Sequence, residues 1–290
     1  MPTANQEPQR PRGLIPTRGP WVRKLNAWRK RSPLNPYWIE LSCLLRTAEA
    51  LAPHARGRLL DVGVGERPYG ALFARHVSRY VGLEYPPVAD NLHPEIWDRL
   101  EEIRGVVDVF GDGQRLPFRD GSFGTLLSLE VLEHVPDPDR CLAEFARVLE
   151  PGGRLLISVP FAAPLHQLPF DFYRFTPRGI ETLLQRNGFE VERIEPRGNF
   201  ASAAGSTLSH YILRALGASG RHHDGSVTVS RWRAPLVLPL IALVQLFFGL
   251  AARFSRDETF CLGYGVVARK GAGASRSSSR SSGSRVRSQS

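Results

Sequence analysis

Two constellations in this chain have residue types and spacings that could do chemistry. The first begins at Asp61-Val62-Gly63-Val64-Gly65-Glu66, after a short apolar run over 58–62. Gly63 and Gly65 let backbone approach a ligand that a Cβ would block. Glu84, 19 residues past Gly65, closes a second apolar run over 80–83. A carboxylate there can accept both hydroxyls of a ribose. Asp112, in Gly111-Asp112-Gly113 after a third run over 105–110, suits an exocyclic amine or a ribose. Turn capping is the structural alternative for Asp61 and Asp112. The set points to a nucleoside but not to a dinucleotide. Counted from Gly63, the third glycine of G-x-G-x-x-G falls on Pro68, which also removes an N–H that pyrophosphate needs. A nucleoside ligand with no phosphate tolerates that loss.

The second constellation is His166-Gln167-Leu168-Pro169-Phe170-Asp171-Phe172-Tyr173-Arg174-Phe175-Thr176, dense in polar and aromatic groups. His166 or Asp171 has the chemistry of a general base, and Tyr173 and Arg174 can orient an acceptor oxygen or carboxylate. The alternative is a buried anchor in which Asp171 pairs with Arg174 and ties the loop to the next helix. His134, opening a loop beside a helix, reads as a structural hydrogen-bonder before it reads as a base. His222-His223-Asp224 sits in a polar Gly/Ser-rich loop without a further nearby ligand. Cys43, Cys141 and Cys261 lie far apart and form no CxxC. Hence neither a metal site nor a disulfide framework is expected.

These residues need elements to hold them. An apolar periodic stretch over 37–52 predicts a helix that stops before Pro53. Strands are then expected at 58–62, 80–83, 105–110, 124–129, 154–159, 189–194 and 260–268. Helices are expected at 69–77, at 139–149 with Asp137 or Asp139 as cap, and from Thr176 to Arg186. Pro151-Gly152-Gly153 is expected to break the second of these. Repeated β-α-β units with short buried strands predict an α/β fold with a parallel sheet covered by helices on both faces. In such sheets the ligand lies at the carboxyl ends of the strands, where Gly63, Gly65, Glu84 and Asp112 all fall.

Here the motifs resemble a known family. Leu59-Leu60-Asp61-Val62-Gly63-Val64-Gly65 looks like the first motif of class I S-adenosylmethionine-dependent methyltransferases. Asp120-Gly121-Ser122-Phe123-Gly124, Glu130-Val131-Leu132-Glu133-His134-Val135-Pro136-Asp137-Pro138 and Leu149-Glu150-Pro151-Gly152-Gly153-Arg154-Leu155 resemble its later signatures, in order, over roughly 58–195. The 166–176 segment resembles one found in a type-11-like subgroup. Glu66-Arg67-Pro68-Tyr69 departs from the small residue and glycine that the family usually places after its second glycine. The resemblance implies a Rossmann-like seven-stranded, mostly parallel sheet and S-adenosyl-L-methionine as cofactor. It also implies Gly63 and Gly65 beneath the cofactor, Asp61 supporting its amino-acid end, Glu84 on the ribose, Asp112 at the adenine edge and Glu130 flanking the methionine part. The sulfonium already activates the methyl group, so the protein mainly aligns a nucleophile and excludes water. A base is needed only for an acceptor that arrives protonated.

The net charge of +10 sits in the ends. Residues 1–35 carry eight cations against Glu7 alone, and 271–290 carry four arginines and no acid, leaving 36–270 near neutrality. Both ends read as disordered, although Trp21 and Trp28 are unusual in such an arm. Residues 36–270 read as the catalytic domain. No signal peptide is read at the N-terminus, so the cytoplasm is expected. An apolar helical insert, about 200–256, separates strands six and seven. Its uncharged part, 234–252, would be about 28 Å long as a helix, near the thickness of a bilayer core. Strands six and seven must join one sheet, so the chain returns to the same side. Arg231, Arg233, Arg253 and Arg256 flank the stretch, which fits a helix lying in one anionic leaflet. A dimer helix or an oversized core element are the alternatives. The expected protein is therefore a methyltransferase for a small-molecule or lipid-linked acceptor at the inner face of the membrane. A non-catalytic membrane adaptor on the same fold is the second reading. Nucleic acid is a weaker third partner, since the cations lie on the tails rather than on a domain face.

Overall fold

The computed structural model describes residues 32–85, 107–221 and 227–271. The expectations for most of the basic arm with Trp21 and Trp28, for the start of the third strand, for His222-His223-Asp224 and for residues 272–290 lie outside the described residues.

The chain opens with α1 (Trp38–Leu51), then β1 (Arg58–Val62), a single turn α2 (Gly70–Phe73) and β2 (Arg79–Glu84). The helix expected over 69–77 shrinks to that turn. The chain must reach β2 by Arg79, and Ser78 N already donates to Gly57 O at 2.8 Å beneath β1. β3 (Val109–Phe110) and β4 (Phe123–Leu129) precede α3 (Pro138–Val148), whose cap is Asp137, accepting from Arg140 N. β5 spans Leu149–Pro160, longer than the expected strand. Pro151-Gly152-Gly153 does not end the pairing. It bulges out between the Phe123–Leu149 and Thr125–Arg154 partners, and the strand resumes. α4 (Pro177–Arg186) starts at Thr176, whose hydroxyl accepts from Gly179 N. β6 (Phe189–Arg197) leads into the insert, made of α5 (Phe200–Ile212), the hairpin β7 (Ala218–Arg221) and β8 (Val227–Val229), and α6 (Ala234–Ala251). The last strand is β9 (Gly263–Lys270).

The seven-stranded sheet has the order β3-β2-β1-β4-β5-β9-β6, parallel except for β9, which runs antiparallel between β5 and β6. This is the Rossmann-like α/β sheet anticipated, with the insert between the sixth and seventh strands of the sheet. Alternation along the strands separates two apolar layers. Leu60, Leu126, Leu155 and Ile157 pack with Leu142, Phe145, Ile180 and Leu184 of α3 and α4. Leu59, Leu127, Leu156 and Val267 pack with Ala48, Leu51 and Phe73 on the other face. Arg197 pairs with Gly263, so the insert leaves and re-enters at the carboxyl edge of the parallel strands. That is the edge where Gly63, Glu84 and Glu130 stand.

Candidate active site

The turn after β1 folds over the end of β2. Gly63 N and Val64 N both donate to Leu83 O, at 2.9 and 3.1 Å. Gly63 and Gly65 have φ of +79° and +49°, a region that glycine enters without steric cost. The two glycines have different reasons. A Cβ on Gly63 would lie 2.4 Å from Val131 Cγ2, whereas one on Gly65 would meet no atom within 4 Å. Gly65 therefore borders open space, and its N–H donates to Glu84 Oε2 at 2.8 Å. Tyr85 N donates to Oε1 at 3.0 Å, so the carboxylate is aimed by backbone at that space. Asp112 is half-buried and caps its own turn, accepting from Gln114 N at 2.8 Å.

Asp61 differs from the others. Its side chain lies against β2 and accepts a short hydrogen bond from the Tyr80 hydroxyl. Burial pushes its carboxyl up to about 7, with the charge of Glu84 adding to the effect and the Tyr80 bond opposing it. The departure at Glu66-Arg67-Pro68 has a structural consequence. Arg67, at φ +53°, pairs with Asp108 and lays its guanidinium 4.8 Å from the Tyr80 ring centroid. It thereby braces the turn against β2. Neither Tyr80 nor Arg67 stood out as a site residue in the sequence, because each works through a partner on another strand.

The 166–176 loop docks on the turn after β4. Phe172 N donates to Glu133 O at 2.8 Å, His134 Nδ1 meets Phe170 O, and Tyr173 OH donates to Pro136 O at 3.0 Å. Asp171 is built into the structure as an anchor. Its carboxylate is covered, takes both Arg174 amino groups at 2.6 and 2.8 Å, and accepts from His166 N at 2.9 Å. Arg174 holds its carboxyl down at about 2, too low to take a proton near neutrality. His166 is half-exposed, with Nδ1 3.1 Å from Pro164 O. The same nitrogen lies 3.6 Å from Asp171 Oδ2, and a proton on Nδ1 would leave Nε2 as the acceptor.

Glu130, at φ +55°, does not face a ligand alone. It accepts from Ser158 Oγ at 2.8 Å and pairs at 2.7 Å with Arg197, whose side chain is 6% exposed. Burial works against the Arg197 charge, but Glu130, with Glu40 and Glu133 behind it, holds the guanidinium protonated. Glu133 is fully buried, and neither carboxylate oxygen has a hydrogen-bond partner, His134 Nε2 standing 3.8 Å from Oε1. Burial first, and the nearby charge of Glu130 second, raise its carboxyl well above the usual range. His210 on α5 is buried beside Glu40, at 3.5 Å, and burial lowers its basicity. The Nε of Arg197 and both ring nitrogens of His210 also lack hydrogen-bond partners. Buried polar atoms in native proteins are rarely left so. Glu133 lies under the 166–176 loop, Arg197 beside Glu130, and His210 beside Tyr37 and Glu40. Arg197 is invisible as a site residue in the sequence, because only the topology brings it to the edge.

Comparison with known proteins decides the family. Residues 60–157 match the model of a methyltransferase domain. A Mycolicibacterium smegmatis protein called a probable S-adenosylmethionine-dependent methyltransferase is 34% identical over 228 residues, which are 72% of this chain and 80% of that one. This chain belongs to the S-adenosylmethionine-dependent methyltransferases. A ubiquinone/menaquinone biosynthesis C-methyltransferase of Idiomarina loihiensis is 34% identical over 125 residues, 41% of this methyltransferase and 49% of that one. Among solved structures, a chain in the complex between the Haloferax volcanii Trm112 methyltransferase activator and a methyltransferase shares the fold. The TM-score is 0.51 at 18% identity, over 87% of this chain and 96% of that one. The methyltransferase thus uses S-adenosylmethionine, and the open carboxyl edge fits it. Gly65 leaves room where a Cβ would intrude, and a ligand without phosphate asks nothing of Pro68.

Proposed function

We propose that this methyltransferase acts at an anionic membrane surface on a small, apolar or lipid-linked acceptor. S-adenosylmethionine would rest over Gly63 and Gly65, with Glu84 on the ribose hydroxyls and Asp112 at the adenine edge. Asp61 and Glu130 would support it from below, through Tyr80 and Arg197. The bound cofactor supplies an activated methyl group. The protein's share is to exclude water and align the acceptor. His166 Nε2 can take a proton from an acceptor hydroxyl, and Tyr173 borders the same loop.

The observation that carries the membrane reading is the outer face of α6. Of its residues only Val237, Ile241 and Gln245 are buried. Leu236 is 80% exposed, Leu243 66% and Phe247 67%, with Trp232 at 82% just before the helix and Phe254 at 79% just after it. So much exposed apolar surface marks an interaction site. Exposed Arg231, Arg233 and Arg253 lie at the ends of the helix, where anionic headgroups would meet them. The helix is also tied to the domain. Gln245 donates to Pro33 O and Asn35 O, at 2.9 and 2.7 Å, and accepts from Ile39 N at 3.0 Å. A helix so fastened lies flat more readily than it crosses a bilayer. The relative named for quinone biosynthesis supports an apolar acceptor, since quinones of that kind partition into lipid.

The test is co-sedimentation of the full chain with phosphatidylglycerol vesicles at high salt, which screens contacts made by the basic ends. Binding that disappears in Trp232→Ser/Leu236→Ser/Leu243→Ser/Phe247→Ser supports the proposal. A wild type that stays in solution, or a variant that still sediments, refutes it.

A further inference from the structure

We propose that Glu133, His134 and His166 form a binding site for one divalent transition-metal ion, of the Zn2+ or Fe2+ class. One ligand atom from each of the three lies within 4.8 Å of the other two, a spread that small side-chain rotations can close to a coordination sphere. The two imidazole rings stand edge to face with centroids 4.8 Å apart. In both, Nδ1 is turned to a backbone carbonyl, Phe170 O for His134 and Pro164 O for His166. The tautomer this favours leaves both Nε2 atoms as bare lone pairs. It is also the outer-shell arrangement that orients histidines on metals.

The carboxylate supplies the independent observation. Glu133 has no exposed surface, and neither of its oxygens has a hydrogen-bond partner. His134 Nε2 is the nearest basic group, 3.8 Å from Oε1. The guanidiniums of Arg197 and Arg174 make their ion pairs with Glu130 and Asp171 and act on Glu133 only through space. A buried acid left in this way is relieved either by keeping its proton or by a cation that takes the proton's place. Two imidazoles and one carboxylate suit borderline metals and not Mg2+ or Ca2+, which prefer all-oxygen shells.

Three protein ligands leave a coordination position for water or for an acceptor oxygen. Binding of the ion stands on this geometry alone, whereas its use on an acceptor oxygen rests on the acceptor loop proposed above. A metal would occupy the lone pair that the proton-acceptor role assigns to His166.

The experiment is calorimetric titration of Zn2+ into chelator-stripped full-length protein, with Glu133→Gln, His166→Ala and His222→Ala/His223→Ala in parallel. S-adenosylmethionine binding serves as the check that each variant is folded. The expected result is one equivalent bound by the wild type, affinity at least about tenfold weaker in Glu133→Gln and His166→Ala, and no change in the double variant. Should Glu133→Gln fail to fold, the half-exposed position in His166→Ala carries the comparison. A folded wild type that binds no Zn2+, wild-type affinity in His166→Ala, or loss that follows His222 and His223 would overturn the site.

Discussion

Replacing Gly65 by alanine separates the cofactor site from the fold. The added Cβ meets no atom within 4 Å, so the protein itself suffers no clash. The cost to folding is conformational, because φ is +49° and a side chain there costs about 1–2 kcal/mol. For a domain of this size that lowers Tm by roughly 2–8 °C. The same methyl group intrudes on the space above the turn. An overlap of one methyl group with a bound ligand costs about 1–3 kcal/mol, which is a loss of roughly five- to 150-fold in affinity. Gly63→Ala behaves differently. Its Cβ would lie 2.4 Å from Val131 Cγ2, so this variant loses stability heavily and regains part of it with Val131→Ala. Thermal melts and calorimetric titration of S-adenosylmethionine read both effects. If Gly65→Ala melts within the stated range yet binds within about threefold of wild type, the cofactor does not lie over Gly65 and the reasoning fails.

Three further predictions follow from the charges at this edge. Asp61 rises from 3.8 to about 7 on folding, so the native state holds its proton more tightly than the unfolded chain. Without cofactor, stability should fall by as much as about 4 kcal/mol as pH rises from 4 to 7 and level off above that. Urea unfolding across this range should lose that slope in Asp61→Asn. Asp171 is shifted in the opposite direction, so its contribution is present above pH 4 and is lost as pH falls toward 2. Asp171→Asn should cost about 1–2 kcal/mol at pH 7, since Arg174 is partly solvated, and thermal melts across pH check this. Arg197→Met should cost about 3–5 kcal/mol by leaving Glu130 uncompensated, and Glu130→Gln in the same chain should recover part of it in denaturant titrations.

Local signals in the sequence were read well where the structure is local. Asp137, one of the two caps the sequence offers, and Thr176 cap their helices, and the Gly63–Gly65 turn follows the first strand as its composition demands. The misses share a cause. The helix before Pro151-Gly152-Gly153 ends at Val148 as expected, but β5 already pairs with β4 at Leu149, so the three residues become a bulge within the strand. Periodicity could not reveal this, since the partner strand lies elsewhere in the chain. Asp171 was open between base and anchor because both roles use the same residues at the same spacing. Only the direction of the Arg174 guanidinium separates them. Glu133 carries no signal of its own within its motif, because its burial depends on the loop that docks over it. Arg197 lies 67 residues beyond Glu130 and reaches it because β6 ends at the same edge as β4.

The cofactor edge is the centre of the account, and one titration addresses it. S-adenosylmethionine should bind the wild type at a single site with micromolar affinity. Binding should vanish in Glu84→Ala, whose carboxylate is aimed by Gly65 N, and persist in Tyr173→Ala, which loses only the loop's bond to Pro136 and touches no cofactor residue. Equal binding by all three folded proteins would place the cofactor elsewhere, and no binding by the wild type would contradict the account outright.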